Sequence, residues 1–432
     1  MSIEVENWQQ LGRRIKSLRS QRELSQESLA EPGYSAAYVS QIEHGKRRPS
    51  DAALSHFAAR LGLTLEQLVS GRDPDQDLRM EIAVQKALAA IYEGRASDAL
   101  SSLEETLADA RAVKHGRVVR LAETAIGQAL FRLGRVDEAL AIYERVLSAE
   151  GTPESITSAM AGKARCLLAK GEAREAVFLL EGHLTALDRA DPPDPGCLVE
   201  TYAALIPVYF ETGMITRAME AASRGWDLAP KVTDAEQRAC LYVNRAQLLA
   251  ARGEGREALS SLALAEDLYR HLGWYAEAVK VSLAKSYVLS EDGRYAEAEA
   301  LIRSALSEAG ERVSKVSHIR ALCNLALMRR VQGFPGEGLA LAEEALRVAD
   351  GGFEGSVGEA YREAGSCALE LGDTDRAVRE WRKALDNFRS TGDNEEAART
   401  AKLLGAHLRA SGDLEGALEV MEQGLSSVEE LR

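Results

Sequence analysis

Residues 134–147 read GRVDEALAIYERVL, and this stretch decides the architecture of most of the chain. Gly134 admits a sharp left-handed turn, and Ala139, five residues on, is small enough for the following helix to lie close against its predecessor. The same phrase, a glycine with a small residue five positions later, returns at Gly94/Ala99, Gly171/Ala176, Gly213/Ala218, Gly253/Ala258, Gly293/Ala298, Gly333/Gly338, Gly372/Ala377 and Gly412/Ala417. Successive glycines are 40, 37, 42, 40, 40, 40, 39 and 40 residues apart. A nearly fixed period close to 40 is the mark of stacked helix pairs. Seven residues before each glycine stands a second small position: Ala87, Gly127, Ala164, Ala246, Ser286, Ala326, Gly365 and Gly405, with Ile206 the one bulky occupant. Small residues at both contact points allow close antiparallel packing of two helices.

Working outward, the pattern is interrupted only near the start. At Gly71-Arg72-Asp73-Pro74-Asp75-Gln76-Asp77, Gly and Pro break the helical rhythm and aspartates gather. Charge divides at the same place. The 432 residues carry a net charge of -14, yet residues 1–72 hold 10 Lys+Arg against 8 Asp+Glu, a local +2, and the rest carries -16. Only the N-terminal segment can approach phosphates without strong repulsion.

That segment contains five short helical patterns. LGRRIKSLRSQR sets Leu11, Ile15 and Leu18 on one face. Ser25 is placed to cap a second helix and Ser35 a third, SAAYVSQIEHG, that stops at Gly45; Ser50 opens a fourth. A fifth, TLEQLV, carries a Thr64-x-x-Gln67 capping box.

Other classes fit poorly. At 46% hydrophobic, 28% charged and 5% aromatic, the composition suits a soluble helical protein, and no apolar run approaches the ~18 residues of a membrane span. The opening MSIEVENWQQ lacks a secretory layout, so a cytoplasmic protein is expected. Cys166, Cys197, Cys240, Cys323 and Cys367 fit neither a disulfide framework nor a zinc site and are read as reduced thiols. Phosphate-loop, zinc-protease and nucleophile-elbow motifs are all missing, and His44, His56, His115, His183, His271, His318 and His407 stand singly, so no enzyme, cofactor or metal is expected.

The stretches LGRRIKSLRSQRELSQESLA, YVSQIEHGKRRPS and LSHFAARLGLTLEQLV resemble the Cro/C1-type (XRE) helix-turn-helix family over about 60 residues. The segment AEPGYS is one residue shorter between the second and third helices than the common family pattern. The resemblance implies duplex-DNA binding. By position Gln26 would contact the phosphate backbone, Ala36, Ala37, Tyr38 and Gln41 would face the major groove, and Lys46, Arg47 and Arg48 would hold phosphates. Such domains commonly act in pairs, which implies a homodimer on an inverted-repeat operator.

The glycine and small-residue offsets resemble the tetratricopeptide repeat over roughly residues 79–430, in units longer than its usual ~34 residues. In that family the position nine residues before the turn glycine faces a concave groove, and an Asn there can pair with a bound peptide backbone. Here it is Asn244 and Asn324; by the same alignment Gln247, Lys280, Tyr287, Arg320 and Arg330 would line the groove. Amides with spaced cations suit an extended peptide carrying a carboxylate. The layout resembles the peptide-pheromone regulators called the RRNPP group. The chain is therefore expected to be all-α: a five-helix domain over 1–72, a linker over 73–78, and a right-handed α-solenoid of about nine helix pairs over 79–432. The expected function is a transcriptional regulator whose repeats dimerise and sense a peptide or other ligand. The alternative is a scaffold that binds protein partners and uses the helix-turn-helix for docking.

Overall fold

A computed structural model describes residues 8–70, 74–190, 192–349 and 357–429. All regular structure among them is helical. The chain divides into two compact units, one of residues 1–87 with 101–125 and the other of residues 88–100 with 126–432.

The first unit opens with five short helices: α1 (Trp8–Gln21), α2 (Gln26–Ala30), α3 (Ala36–Glu43), α4 (Asp51–Arg60) and α5 (Leu65–Ser70). Their starts are set by side chains that satisfy amides no helical carbonyl can reach. The hydroxyls of Ser25, Ser35 and Ser50 accept from the amides of Ser28, Tyr38 and Ala53. The capping box forms in both directions: Gln67 N–H donates to Thr64 Oγ1 at 3.1 Å and Thr64 N–H to Gln67 Oε1 at 2.8 Å. Leu11, Ile15, Leu29, Val39, Ile42 and Phe57 belong to one buried cluster. Leu18, expected on the same face, is half-buried at its edge. Helices α1 and α3 cross so closely that a Cβ on Gly12 would lie 2.2 Å from the Ile42 carbonyl oxygen.

Nine helix hairpins follow among the described residues. They are α6/α7 (Pro74–Tyr92, Ala96–Ala112), α8/α9 (Gly116–Arg132, Val136–Ser148), α10/α11 (Pro153–Ala169, Ala173–Asp188) and α12/α13 (Pro195–Glu211, Ile215–Leu228). Then come α14/α15 (Ala235–Ala251, Gly255–His271), α16/α17 (Tyr275–Glu291, Tyr295–Ala309), α18/α19 (Lys315–Val331, Pro335–Ala349), α20/α21 (Val357–Glu370, Thr374–Thr391) and α22/α23 (Asn394–Ser411, Leu414–Glu429). Of the stretch read as a linker, residue 73 lies outside the described residues and residues 74–78 begin α6.

The hairpins form for the reasons the repeat suggests. All nine turn glycines have positive φ, between 72° and 89°, a region that costs other residues about 1–2 kcal/mol. Around Gly134 nothing would obstruct a Cβ, so backbone conformation and not space selects glycine there. The upstream small position is selected by space. A Cβ on Gly127 would come within 2.7 Å of the Tyr143 ring, and one on Gly365 within 2.7 Å of Trp381. Within the second unit α10–α16 bury the largest continuous core, from Leu180 and Leu205 to Leu262. All five cysteines are free thiols, four of them buried.

Candidate nucleic-acid interface and repeat groove

The helix-turn-helix presents α3 by anchoring its two ends. Val39 and Ile42 point into the core, while Ala37 and Gln41 are exposed, Ala36 is half-buried, and Lys46, Arg47 and Arg48 follow on the exposed loop. Tyr38 is half-buried: its ring stacks on Tyr34 with centroids 5.4 Å apart, and the Arg47 guanidinium lies over it at 4.7 Å. Arg48 lies over Trp8 at 4.3 Å. Both guanidiniums are thus held by ring faces that leave their N–H edges free to meet phosphate oxygens.

A second anchor escaped the sequence reading. Glu43, at the end of α3 and 2% exposed, accepts from Arg19 Nε at 2.6 Å and Nη2 at 3.2 Å, and from Gln26 Nε2 at 2.8 Å. The pair raises the Arg19 pKa, through its hydrogen bond to Glu43. One buried carboxylate therefore ties α1, α2 and α3 together. The Gln26 amide expected on a phosphate donates to Glu43 here, and its carbonyl oxygen takes no part in that bond.

In the repeat unit the seven groove residues fall into two groups. Gln247 and Tyr287 are exposed, with no hydrogen bond made by either side chain among the described residues, and half-buried Asn324 likewise has none. The others are engaged. Lys280 pairs with Glu277 at 2.8 Å, Arg320 approaches Glu359 at 3.7 Å, and Arg330 reaches Glu370 at 2.8 Å and Glu363 at 3.4 Å. Lys280 lies close enough to Arg132 and Arg320 to feel both charges, and burial lowers its pKa first of all.

Asn244 has a structural task. Its Nδ2 donates to the carbonyl of Ala203 at 2.8 Å. Pro207 lies inside α12, four residues after Ala203. Proline has no N–H, so the Ala203 carbonyl has no partner within its own helix, and Asn244 of the next repeat supplies the missing donor.

In the register thirteen residues before the turn glycine, Lys280 and Arg320 were expected in the groove and the other members were not. It runs Glu200, Cys240, Lys280, Arg320, Glu359. Around its start Ser158 Oγ and Gln237 Nε2 donate to Glu200 at 3.2 and 3.1 Å. Burial pushes the Glu200 carboxyl up to about 7. Tyr92 donates to Glu236 and stacks on Trp274 with ring centroids 4.0 Å apart, and Arg132 reaches Glu277 at 3.0 Å. The tips of α6 and α8 therefore meet α14 and α16 through an aromatic and ionic cluster. Among the described residues no group of three metal-ligating side chains occurs and no helix is long and apolar enough to cross a membrane.

Comparison with known proteins agrees with this geometry. Residues 10–69 match the helix-turn-helix domain family. Residues 84–155, 124–195, 323–387 and 356–430 match tetratricopeptide repeat families. No curated protein matches the chain in sequence. Among solved structures of similar fold is Bacillus thuringiensis PlcR in complex with the peptide PapR7 and DNA, with 16% identity and a TM-score of 0.51 over 63% of this chain and 99% of that one. A Rap protein complexed with competence and sporulation factor has 13% identity and a TM-score of 0.53 over 82% of this chain and 98% of that one. NprR in complex with its cognate peptide NprX has 13% identity and a TM-score of 0.51 over 81% and 89%. The likeness is one of fold.

Proposed function

Since the chain joins a helix-turn-helix domain to tetratricopeptide repeats, we propose that it is a sequence-specific DNA-binding transcriptional regulator whose repeats dimerise and take a peptide ligand. The observation that carries this reading is the presentation of α3: capped by Ser35, tied down through Glu43, and showing Ala37 and Gln41 outward beside the Lys46-Arg47-Arg48 loop. Gln41 can pair bidentately with adenine, and the alanine methyls of Ala36 and Ala37 can meet thymine methyls. Lys46, Arg47 and Arg48 hold phosphates, with Gln26 and Tyr38 at the edge of the same face. PlcR, of similar fold, is seen with both a peptide and DNA, and NprR with a peptide, which supports a peptide as the effector.

In this reading the open amide and hydroxyl groups of Asn324, Gln247 and Tyr287 meet the ligand backbone. Lys280, Arg320 and Arg330 would exchange their glutamate partners for a ligand carboxylate. Asn244 holds the groove wall in place. A ligand that touches several repeats changes the curvature of a solenoid at modest cost, because each repeat contacts only its neighbours.

Selection of full-length protein against a random duplex pool tests the proposal. An inverted repeat with half-sites about one helical turn, roughly 34 Å, apart or a multiple of it should be enriched. Failure to enrich any sequence would instead favour a scaffold that uses the helix-turn-helix for docking.

A further inference from the structure

A repeat array is held together neighbour by neighbour, and one side chain departs from that rule. Tyr92, the last residue of α6 in the first repeat, is buried against residues of the fifth and sixth. Its ring stacks on Trp274 with centroids 4.0 Å apart, the Arg132 guanidinium lies over it at 5.4 Å, and its hydroxyl donates to Glu236. An indole face, a cation and a carboxylate thus converge on one phenol. The first covers the ring, the second meets its π face and the third accepts its O–H.

The walls of this slot are held without Tyr92. The Trp274 amide donates to the Tyr269 carbonyl at 2.9 Å, and the two rings stack with centroids 6.1 Å apart. The Asp234 side chain accepts from the Glu236 amide at 2.8 Å, which fixes the start of α14. Glu277 accepts from Arg132 at 3.0 Å and from Lys280 at 2.8 Å. The occupant is tied less firmly. Tyr92 stands two residues before the turn glycine Gly94, so unwinding the end of α6 withdraws it and leaves the rest of that helix intact. The slot also adjoins the groove. Glu277 is the partner of Lys280, and Glu236, Cys240 and Asn244 follow one another at four-residue spacing along one face of α14.

We propose that this slot is a tyrosine-binding site whose present occupant is Tyr92, and that a tyrosine of the peptide ligand displaces Tyr92 from it. The proposal rests on the peptide-sensing reading above and names a residue type that the peptide carries. Glu236 sets the preference for tyrosine over phenylalanine. Burial raises the pKa of this half-buried carboxyl, and the hydrogen bond from Tyr92 works the other way. A phenyl ring would fill the same space and leave the carboxylate short of a donor, and sites built to bond a hydroxyl reject the analogue that lacks it. Self-occupancy also sets a threshold. The ligand must outcompete a tethered tyrosine at an effective concentration of about millimolar or more, so a peptide enters only when it makes further contacts along the groove.

Calorimetric titration of the full chain with p-cresol, the tyrosine side chain as a free molecule, and with toluene tests the slot. Tyr92→Ala should bind p-cresol about tenfold or more tightly than it binds toluene, and about tenfold or more tightly than wild type binds p-cresol. Adding Trp274→Ala should abolish that binding. Equal affinity of Tyr92→Ala for p-cresol and toluene, the behaviour of a plain apolar cavity, would overturn the proposal. Selection of a random decapeptide pool on wild type keeps the test open should Tyr92→Ala fail to fold. Enriched peptides should share a tyrosine whose replacement by phenylalanine weakens binding by about tenfold or more. Enriched peptides indifferent to that replacement would overturn the tyrosine site and leave the peptide reading standing. No enriched peptide on either chain, beside preferential binding of p-cresol, would overturn the peptide reading and leave the phenol slot standing.

Discussion

Replacing Asn244 by alanine removes the donor that serves the Ala203 carbonyl across the boundary between the fourth and fifth repeats. That carbonyl belongs to a residue only 2% exposed, in a helix where Pro207 cannot donate to it. The loss is therefore the cost of an unpaired buried acceptor, about 1–3 kcal/mol, and not merely the ~1 kcal/mol net value of one hydrogen bond. A repeat protein is stabilised neighbour by neighbour, so the effect should be local. Hydrogen exchange of α12 and α14 amides should quicken by about five- to a hundredfold, with α20–α23 unchanged. The decisive control is Pro207→Ala, which returns an N–H to the helix. In that background Asn244→Ala should cost well under 1 kcal/mol, giving a coupling of about 1–2 kcal/mol between residues 37 positions apart. Equal costs in both backgrounds would refute the assignment of Asn244 as the partner of the carbonyl that Pro207 leaves open.

Gly12→Ala should destabilise the helix-turn-helix by about 1–3 kcal/mol or more, because the new Cβ would meet the Ile42 carbonyl at 2.2 Å; melting and DNA binding should fail together. Glu43→Gln, which keeps the shape of the α1–α2–α3 tie but removes the charge that Arg19 pairs with, should lower stability by about 1–3 kcal/mol, read by urea titration of the full chain. Glu200, held protonated up to about 7 by burial, binds a proton in the folded state that the unfolded chain releases near its ordinary 4.5. Its contribution is therefore fully present below 4.5 and lost as pH rises to about 7, and Glu200→Gln should flatten the fall in melting temperature across that window.

The sequence carries those features whose cause is local or periodic. A turn glycine is demanded by the φ of its own residue, so nine of them spell out nine hairpins before any contact is known. Caps at Ser25, Ser35, Ser50 and Thr64 are equally local, since hydroxyl and amide are three residues apart. The Arg19–Glu43 pair spans 24 residues of changing direction with no repeat to project it. Asn244 carried the family signature of a groove amide, but its partner is decided by a proline in the previous repeat, which inspection of its own repeat cannot reveal. The Glu200–Glu359 register was legible, since all five residues share one offset from their glycines. The aromatic contact of Tyr92 with Trp274 was not, because it joins the tip of α6 to the start of α16, five repeats further on.

The claim that α3 reads DNA is tested most directly by fluorescence anisotropy on the enriched duplex and on a scrambled one, for wild type, Gln41→Ala and Arg47→Ala across a salt series. Gln41→Ala should lose about 1–3 kcal/mol on the enriched duplex and nothing on the scrambled one, at an unchanged salt slope. Arg47→Ala should weaken both alike and reduce the slope by about one. Equal losses for Gln41→Ala on the two duplexes, or wild-type binding by both variants, would contradict the assignment of α3 as the recognition helix.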